Sequence, residues 1–175
     1  LNNVECMLGP GINIHRDPLC GRNFEYFSED PVLTGVIASA ATRGVQKSGA
    51  VVTPKHFAAN NQEQNRNNND SRVSERALRE IYLKGFEIVV RDGNTGTIMT
   101  SYNKINGIWA ASNYDLCTTT LRNEWGFDGM VMTDWWANEN EDGLLRQEAA
   151  MVRAQNDIAM PVADEADSIV NAVNA

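Results

Sequence analysis

GMVMTDWW, at residues 129–136, carries the clearest structural signal of this 175-residue chain. The apolar run follows a GFDG turn and predicts a buried parallel strand. The strand ends at Asp134, directly before two tryptophans. In α/β barrels the chemistry takes place at the C-terminal ends of the strands, so an acid in this position indicates catalysis. From this segment alone, the alternative is an aspartate that caps the next helix beside two core tryptophans.

Strand-like and helix-like segments alternate along the rest of the chain. Besides the strand that begins at Met130, the sequence predicts strands at 50–53, 97–100 and 158–160. It predicts helices at 31–46, 75–91, 116–125 and 144–154, and another that begins near residue 164. Strands that alternate with helices of about 10–15 residues form βαβ units with a parallel sheet. We therefore predict the α/β class and a partial (β/α)8 TIM-like barrel.

The length of the chain limits how much of a barrel it can form. A complete (β/α)8 barrel needs about 250 residues. The chain begins at Leu1 without an initiator methionine and ends inside a predicted helix. We therefore expect residues 1–175 to be an incomplete TIM-like barrel domain, truncated at both ends. No apolar run approaches the roughly 20 residues of a membrane span, so no membrane association is expected.

Composition argues against several classes of partner. The net charge of −8 comes without a basic stripe, which disfavours binding to nucleic acid. Cys6, Cys20 and Cys117 are widely spaced, and His15 and His56 are the only histidines. This set predicts no zinc site, and we expect neither a metal nor a cofactor. Unpaired thiols and the lack of a signal segment favour a cytoplasmic location.

Polar side chains follow the predicted strands at the points where the strands end. Lys55 and His56 come directly after the strand at 50–53, and Tyr102 follows the strand at 97–100. Because parallel strands end at the same edge of a sheet, we expect these side chains to lie on the same rim as Asp134.

Two arginines extend this set. Arg22 follows the first strand-like run, and Arg66 lies in an asparagine-rich stretch at 60–70. So polar a stretch predicts a long surface loop, and long loops in barrels tend to be functional. Charged donors, one carboxylate and indole faces on one rim are suited to gripping a polyhydroxylated ligand.

Each of these residues also has a structural alternative. Arg22 could form only a surface ion pair with Glu25, and Lys55 could be a solvated lysine at a strand end. His56 could be a hydrogen-bonded structural histidine, and Tyr102 could be a core tyrosine. Their shared position after successive strands is what favours a common site.

A set of longer motifs gives a more specific signal. In chain order they are RDPLCGRNFE at 16–25, SEDP at 28–31, KHFA at 55–58, Glu63 with Arg66, SERALREIYL at 74–83, MTSYN at 99–103, NG at 106–107, and LRNEWGFDG at 121–129 running into TDW at 133–135. In this order and spacing the chain resembles glycoside hydrolase family 3, the family of many β-glucosidases.

The resemblance implies a fold and a site. The family fold is a TIM-like barrel followed, or in some members preceded, by an α/β sandwich domain, which is absent from this chain. The resemblance also implies that Asp134 is the catalytic nucleophile of a retaining glycosidase. The residues implied to bind the sugar are Arg22, Lys55, His56, Arg66 and Tyr102, and those implied to line the pocket are Met99 and Trp135.

A retaining mechanism needs a second carboxyl group as acid and base. In much of the family this group comes from the sandwich domain, so the resemblance implies that the isolated chain is inactive. Glu63 is the one loop carboxylate we considered as a substitute. It is better explained as a residue that holds Arg66 or its loop.

The resemblance also bears on the substrate. Members of the β-xylosidase type often carry cysteine after the nucleophile, whereas Trp135 favours the glucosidase type. The expected reaction releases terminal β-D-glucose from a small β-glucoside or an oligosaccharide. Three alternatives stay open: a β-xylosidase-type exo-glycosidase, a Schiff-base lyase that uses Lys55, and a non-catalytic sugar-binding module.

Overall fold

The computed structural model describes residues 4–137, 148–161 and 166–174. Its strands are β1 (Cys6–Met7), β2 (Val51–Val52), β3 (Asp70–Ser71), β4 (Thr97–Thr100), β5 (Lys104–Ile105), β6 (Ile108–Trp109) and β7 (Met130–Thr133). Its α-helices are α1 (Pro31–Gln46), α2 (Glu75–Ala77), α3 (Lys84–Gly93), α4 (Glu148–Arg153) and α5 (Ala166–Asn174). Wider π-helical segments span Leu78–Tyr82 and Asp115–Glu124.

The parallel strands follow one another in an arc. β1 pairs with β2, and β4 pairs with β7. A parallel bridge between Phe57 and Thr100 joins the two pairs, and a bridge from Met132 to Ile158 extends the arc. Helical segments connect successive strands of this arc, as in βαβ units. The prediction of a partial (β/α)8 barrel, in which parallel strands alternate with helices, is confirmed.

Local sequence signals account for the elements that match most closely. The predicted helix at 31–46 is α1, with Pro31 at its first turn, and the predicted strand at 97–100 is β4. The Asp30 carboxylate caps α1 by accepting the N–H groups of Val32 and Leu33 at 2.7 and 3.0 Å. The predicted strands at 50–53 and 158–160 are shorter, reduced to β2 and a single bridge.

The last two predicted helices are described only in part. The helix predicted at 144–154 is observed as α4, and residues 144–147 lie outside the described part of the chain. The helix predicted near residue 164 is observed as α5, which begins at Ala166, and residues 164 and 165 are likewise outside.

The helix predicted at 75–91 differs from expectation in its middle. Ser74 caps its start, because its hydroxyl accepts the Ala77 N–H at 3.3 Å. The helix then widens into a π turn, in which the Leu83 N–H bonds to the Leu78 carbonyl at 2.8 Å. The wider turn changes which side chains face the core, so Leu83 is buried, whereas Ile81, which follows the helical period of Leu78 and Val89, is exposed.

Small residues allow close packing around the core. A Cβ atom on Gly35 would lie 2.8 Å from the Ile88 side chain, so α1 and α3 approach closely at this point. A Cβ atom on Gly129 would lie only 2.3 Å from the Gly96 carbonyl oxygen, so the residues directly before β4 and β7 approach even more closely. Glycine at residue 129 therefore lets β7 pair along β4 in the register that places Asp134 at the rim.

The asparagine-rich stretch at 60–70 is a loop as far as Asn69, as predicted, and Asp70 begins β3. The start of the loop is not simple surface. Asn60 is buried, and its amide donates to the Glu63 carboxylate at 3.3 Å. Beyond the loop, β3 pairs with β5, and β5 pairs with β6, in a small sheet separate from the barrel strands. The Glu63 N–H also donates to the Cys20 carbonyl at 3.1 Å.

Three further features concern cysteine pairing, metal binding and membrane-spanning helices. All three cysteines are free thiols. In the described ranges, no three His, Cys, Asp or Glu side chains gather in a way that could hold a metal ion. None of the helices described is long and apolar enough to cross a membrane.

Candidate active site

A cavity of about 600 Å³ lies at the C-terminal ends of the barrel strands. It brings together every site residue that the sequence predicted: Arg22, Lys55, His56, Arg66, Met99, Tyr102, Asp134 and Trp135. Three further residues line it, namely Leu8, Asn67 and Trp136. The side chains that follow successive strands therefore line one common pocket, together with three residues that were not predicted.

Asp134 is held at the rim by its own backbone and by its neighbours. Its N–H donates to the Thr100 carbonyl at 3.2 Å, and its carboxylate accepts the Trp135 N–H at 2.7 Å. The other carboxylate oxygen, Oδ2, lies 3.4 Å from His56 Nε2, and the side chain is 13% exposed. Residues 135–137 form a turn, so the described residues give no support to a helix-capping role.

Burial raises the pKa of Asp134. The Trp135 N–H and the positive charges of Arg66, Arg22 and Lys55 act in the opposite direction and offset part of this effect. The carboxylate is therefore poorly solvated, and it lies among donors that stabilise its ionised form.

His56 contacts the Asp134 carboxylate and is 1% exposed. Burial lowers its pKa well below the usual value, and the nearby charges of Arg22, Lys55 and Arg66 lower it further. The imidazole is therefore neutral near pH 7. Its main-chain N–H donates to Asn13 Oδ1 at 2.8 Å, and its carbonyl accepts from Asn13 Nδ2 at 2.9 Å.

Two glutamates connect the cations of the cavity. Arg22 Nε donates to Glu25, whose other oxygen lies 3.8 Å from Lys55 Nζ. Arg66 Nη1 donates to Glu63, whose second oxygen lies 3.9 Å from Arg22 Nη1. The prediction that Glu63 holds Arg66 is thus confirmed. The predicted alternative for Arg22, a pair with Glu25, is also present, but Arg22 lines the cavity as well.

Tyr102 is mostly buried, and its ring lies beneath the Arg66 guanidinium at 4.5 Å. Its hydroxyl donates to the Trp135 carbonyl at 2.7 Å. Burial, followed by the charge of Asp134, raises the pKa of this phenol to about 12. Tyr102 is therefore a protonated donor beside the carboxylate, which goes beyond the core-tyrosine alternative.

The apolar wall is formed by Met99 on one side and by the two tryptophans at the mouth. Met99 is buried in β4, whereas Trp135 and Trp136 are about half exposed. Their rings meet edge to face with centroids 5.6 Å apart. Leu8, which the sequence analysis missed, directly follows β1, so the strand-end argument could have found it.

Among the described residues, Asp134 is the only carboxylate that lines the cavity. Glu25 and Glu63 are each bound to two cations in the wall. The arrangement can therefore supply one nucleophilic or electrostatic carboxylate, several hydrogen-bond donors to hydroxyl groups, and an aromatic surface for a ring.

Comparison with known proteins identifies the family. The family model "Glycosyl hydrolase family 3 N terminal domain" matches residues 2–175. The chain is 58% identical over 177 residues to a β-glucosidase of Ruminococcus albus, covering 99% of this chain and 19% of that protein. It is 49% identical to an exo-α-(1→6)-L-arabinopyranosidase of Bifidobacterium longum, covering 97% of this chain and 22% of that protein.

A solved structure gives the same answer. β-Glucosidase 3B of Thermotoga neapolitana, in complex with glucose, matches with a TM-score of 0.88 and 48% identity, over 98% of this chain and 24% of that chain. This chain spans about a fifth of the length of the relatives it matches. The chain belongs to glycosyl hydrolase family 3, and it matches the N-terminal domain of that family.

Proposed function

We propose that this chain is part of a retaining β-glucosidase that releases terminal β-D-glucose from small β-glucosides or oligosaccharides. The observation that carries the proposal is the position of Asp134. Its carboxylate follows β7, enters the cavity, and is surrounded by donors from four separate segments of the chain. Family membership and the named activities of the relatives support the same reaction class.

The proposed reaction has two steps. In the first, an Asp134 oxygen attacks the anomeric carbon, the bond to the leaving oxygen breaks, and a general acid protonates that oxygen. In the second step, the residue that acted as general acid now acts as general base and removes a proton from water. The water oxygen attacks the anomeric carbon, and the bond between that carbon and Asp134 breaks. Two inversions at the anomeric carbon give net retention.

In this proposal the other residues bind and orient the sugar. Arg22, Lys55 and Arg66 donate to hydroxyl oxygens. His56 and Tyr102 line the same site, where they contact Asp134 and the Trp135 carbonyl. Met99 and Trp135 contact the apolar surface of the ring. Glu25 and Glu63, which pair with these cations without lining the cavity, balance their charge. Because of this balance, the site can hold charged donors without strongly opposing the positive charge that develops on the sugar in the transition state.

The acid and base is assigned to a residue outside this chain. In the part of the chain that the structure describes, Glu25 and Glu63 are paired with cations, and Asp134 is taken as the nucleophile. In much of the family the acid and base comes from the sandwich domain. We place the missing group in an α/β sandwich domain and take residues 1–175 as an incomplete barrel domain. General acid catalysis typically contributes about 10²–10⁴-fold, so the isolated chain is expected to be inactive on ordinary glucosides.

A second substrate class has support from one relative. The Bifidobacterium longum protein is named for an L-arabinopyranoside, a pentopyranoside without the hydroxymethyl group of glucose. An exo-glycosidase for pentopyranosides, the β-xylosidase type included, is therefore the second candidate. Comparing kcat/KM on aryl β-D-glucoside, β-D-xyloside and α-L-arabinopyranoside separates the two. Family membership argues against the Schiff-base lyase and the non-catalytic module.

The decisive experiment removes the nucleophile from the full-length enzyme. In Asp134→Gly the covalent route is closed, and hydrolysis of an aryl β-glucoside is expected to fall by several orders of magnitude. Azide should restore part of the rate and yield the α-glucosyl azide, because the anion attacks from the face that Asp134 occupied.

Asp128→Gly is the matched control. Asp128 is exposed and precedes β7, so it lies at the opposite end of the same strand from Asp134. Near-normal turnover by folded Asp134→Gly, with no response to azide, would rule out the nucleophile assignment.

A further inference from the structure

A buried amide holds the main chain of His56 in place. Asn13 is 3% exposed and lies 43 residues before His56 in the chain. Its Nδ2 donates to the His56 carbonyl, while its Oδ1 accepts the His56 N–H. One side chain therefore satisfies both polar groups of the His56 backbone. Two such bonds from one rigid amide fix the position and the rotation of that backbone.

The same amide also faces the imidazole ring. Asn13 Oδ1 lies 3.4 Å from His56 Nδ1, and on the other side of the ring His56 Nε2 lies 3.4 Å from Asp134 Oδ2. The ring is thus placed between an amide oxygen and the carboxylate. The remaining charged groups that act on it are Arg22, Lys55 and Arg66.

We propose that Asn13 is a positioning residue for the reaction, which holds His56 so that its Nε2 hydrogen points to the Asp134 carboxylate. The proposal rests on the proposed function, in which Asp134 is the nucleophile. Asn13 has no contact with the cavity itself and is absent from its lining. It acts only through His56.

The choice of tautomer follows from charge. The neutral imidazole carries one N–H, which can point either to Asn13 or to Asp134. A donor facing an ionised carboxylate forms a charge-assisted hydrogen bond, which is stronger than a bond to a neutral amide oxygen. The Nε2–H tautomer is therefore favoured while Asp134 is ionised, and it stabilises the form that attacks the sugar.

The test uses Asn13→Leu in the full-length enzyme, which removes both backbone bonds at similar volume. With the imidazole displaced, kcat/KM on an aryl β-glucoside is expected to fall about 10²-fold, the scale seen when a catalytic group is misplaced by about 1 Å. The acid limb of kcat/KM should shift to higher pH, because Asp134 has lost a donor to its ionised form. Asn113→Leu is the control, since Asn113 is also buried but caps the segment at 115–124.

A double-mutant cycle separates positioning from general damage. In a His56→Ala background, Asn13→Leu should cause little further loss of kcat/KM, because the residue through which it acts is gone. The proposal would be overturned if the losses of kcat/KM in the two single variants multiplied in the double variant. It would also be overturned if the acid limb of the pH profile of kcat/KM did not shift in folded Asn13→Leu. If Asn13→Leu does not fold, Asn13→Asp replaces it. That variant keeps the acceptor for the His56 N–H, but its carboxylate faces Nδ1 and competes with Asp134 for the single imidazole N–H. Its kcat/KM should therefore also fall, and this loss should be absent in the His56→Ala background.

A structural measurement keeps this result independent of the proposed function. In a crystal structure of Asn13→Leu, His56 Nε2 should lie farther than 3.4 Å from Asp134 Oδ2. An unchanged imidazole position would show that Asn13 does not hold His56, even if the wild-type protein hydrolysed glucosides. If the wild type hydrolysed none, the proposed function would fail, and the displacement would still decide whether Asn13 holds His56.

Discussion

Two of the networks of paired charges in the described part of the chain have different surroundings. The cavity cluster consists of Arg22, Glu25, Lys55, Glu63 and Arg66, whose side chains are 17–35% exposed. The helix cluster lies on the surface of the helical segments at 75–82 and 115–124 and consists of Glu75, Arg76, Arg79, Glu80 and Glu124, whose side chains are 39–83% exposed.

The difference shows that similar pairs of residues can have different consequences. In the helix cluster the pairs are mostly i,i+4 contacts in water, and such pairs are worth about 0–1 kcal/mol each. In the cavity cluster each glutamate joins two cations from different segments of the chain. The main effect of the cavity cluster is to hold hydrogen-bond donors around the Asp134 carboxylate. We therefore expect the loss of one of its residues to change activity more than stability.

The largest effect that tests this comparison is the loss of Lys55. In the full-length enzyme, Lys55→Ala is expected to lower kcat/KM by about 10–100-fold, because a lost hydrogen bond to a charged donor costs about 1.5–3 kcal/mol. Lys84→Ala is the matched control, since Lys84 is paired with Glu87 at 3.0 Å on a helix surface. Unchanged steady-state kinetics in folded Lys55→Ala would show that Lys55 is a solvated bystander.

A smaller effect concerns the stability cost of the cavity carboxylate. Folding raises the pKa of Asp134, so the protonated form is favoured in the folded state and the ionised form is disfavoured. The stability that protonation contributes is complete below the unfolded pKa of about 3.9 and is lost as pH rises through the raised folded value.

Asp134→Asn should therefore stabilise the protein near pH 7, by about 0.5–2 kcal/mol. The gain should shrink as pH falls towards about 4, where the wild-type carboxyl group is itself neutral. Urea unfolding of both proteins across this range measures the difference. A variant that is less stable than the wild type at pH 7 would show that the charge of Asp134 is needed to hold the three cations together.

The smallest effect is expected in the helix cluster. Arg79 pairs with both Glu75 and Glu124, yet it remains well exposed. Arg79→Ala should lower the free energy of unfolding by no more than about 1 kcal/mol and should leave kcat/KM unchanged. A stability loss of several kcal/mol would remove the distinction drawn between the two clusters.

Elements with strong local signals could be predicted from the sequence. Pro31 marks the start of α1, and the apolar runs before Tyr102 and Asp134 mark β4 and β7. Strands of two residues carry no periodicity, so β3, β5 and β6 were missed. The π turn moved Ile81 to the surface, because helical spacing assumes a constant number of residues per turn.

In the candidate site, too, residues marked by a local sequence pattern were predicted, and a residue that acts through a distant contact was not. Lys55, His56, Tyr102 and Asp134 were found because their position at strand ends is visible in the sequence alone. Asn13 was missed, because its amide reaches a backbone 43 residues away, and no local pattern indicates such a contact. The residues that line the cavity were thus easier to predict than Asn13, which contacts one of them from outside the cavity.

The loop that carries Arg66 is fixed at both ends by main-chain contacts. The Glu63 N–H donates to the Cys20 carbonyl at 3.1 Å, and the Lys104 N–H donates to the Asn69 carbonyl at 2.8 Å. Such anchors do not depend on which side chains lie between them. If the proposed function holds, residues 64, 67 and 68 are therefore positions at which new side chains can be screened for altered sugar preference, while Arg66 and Asn65, whose φ is +54°, are kept.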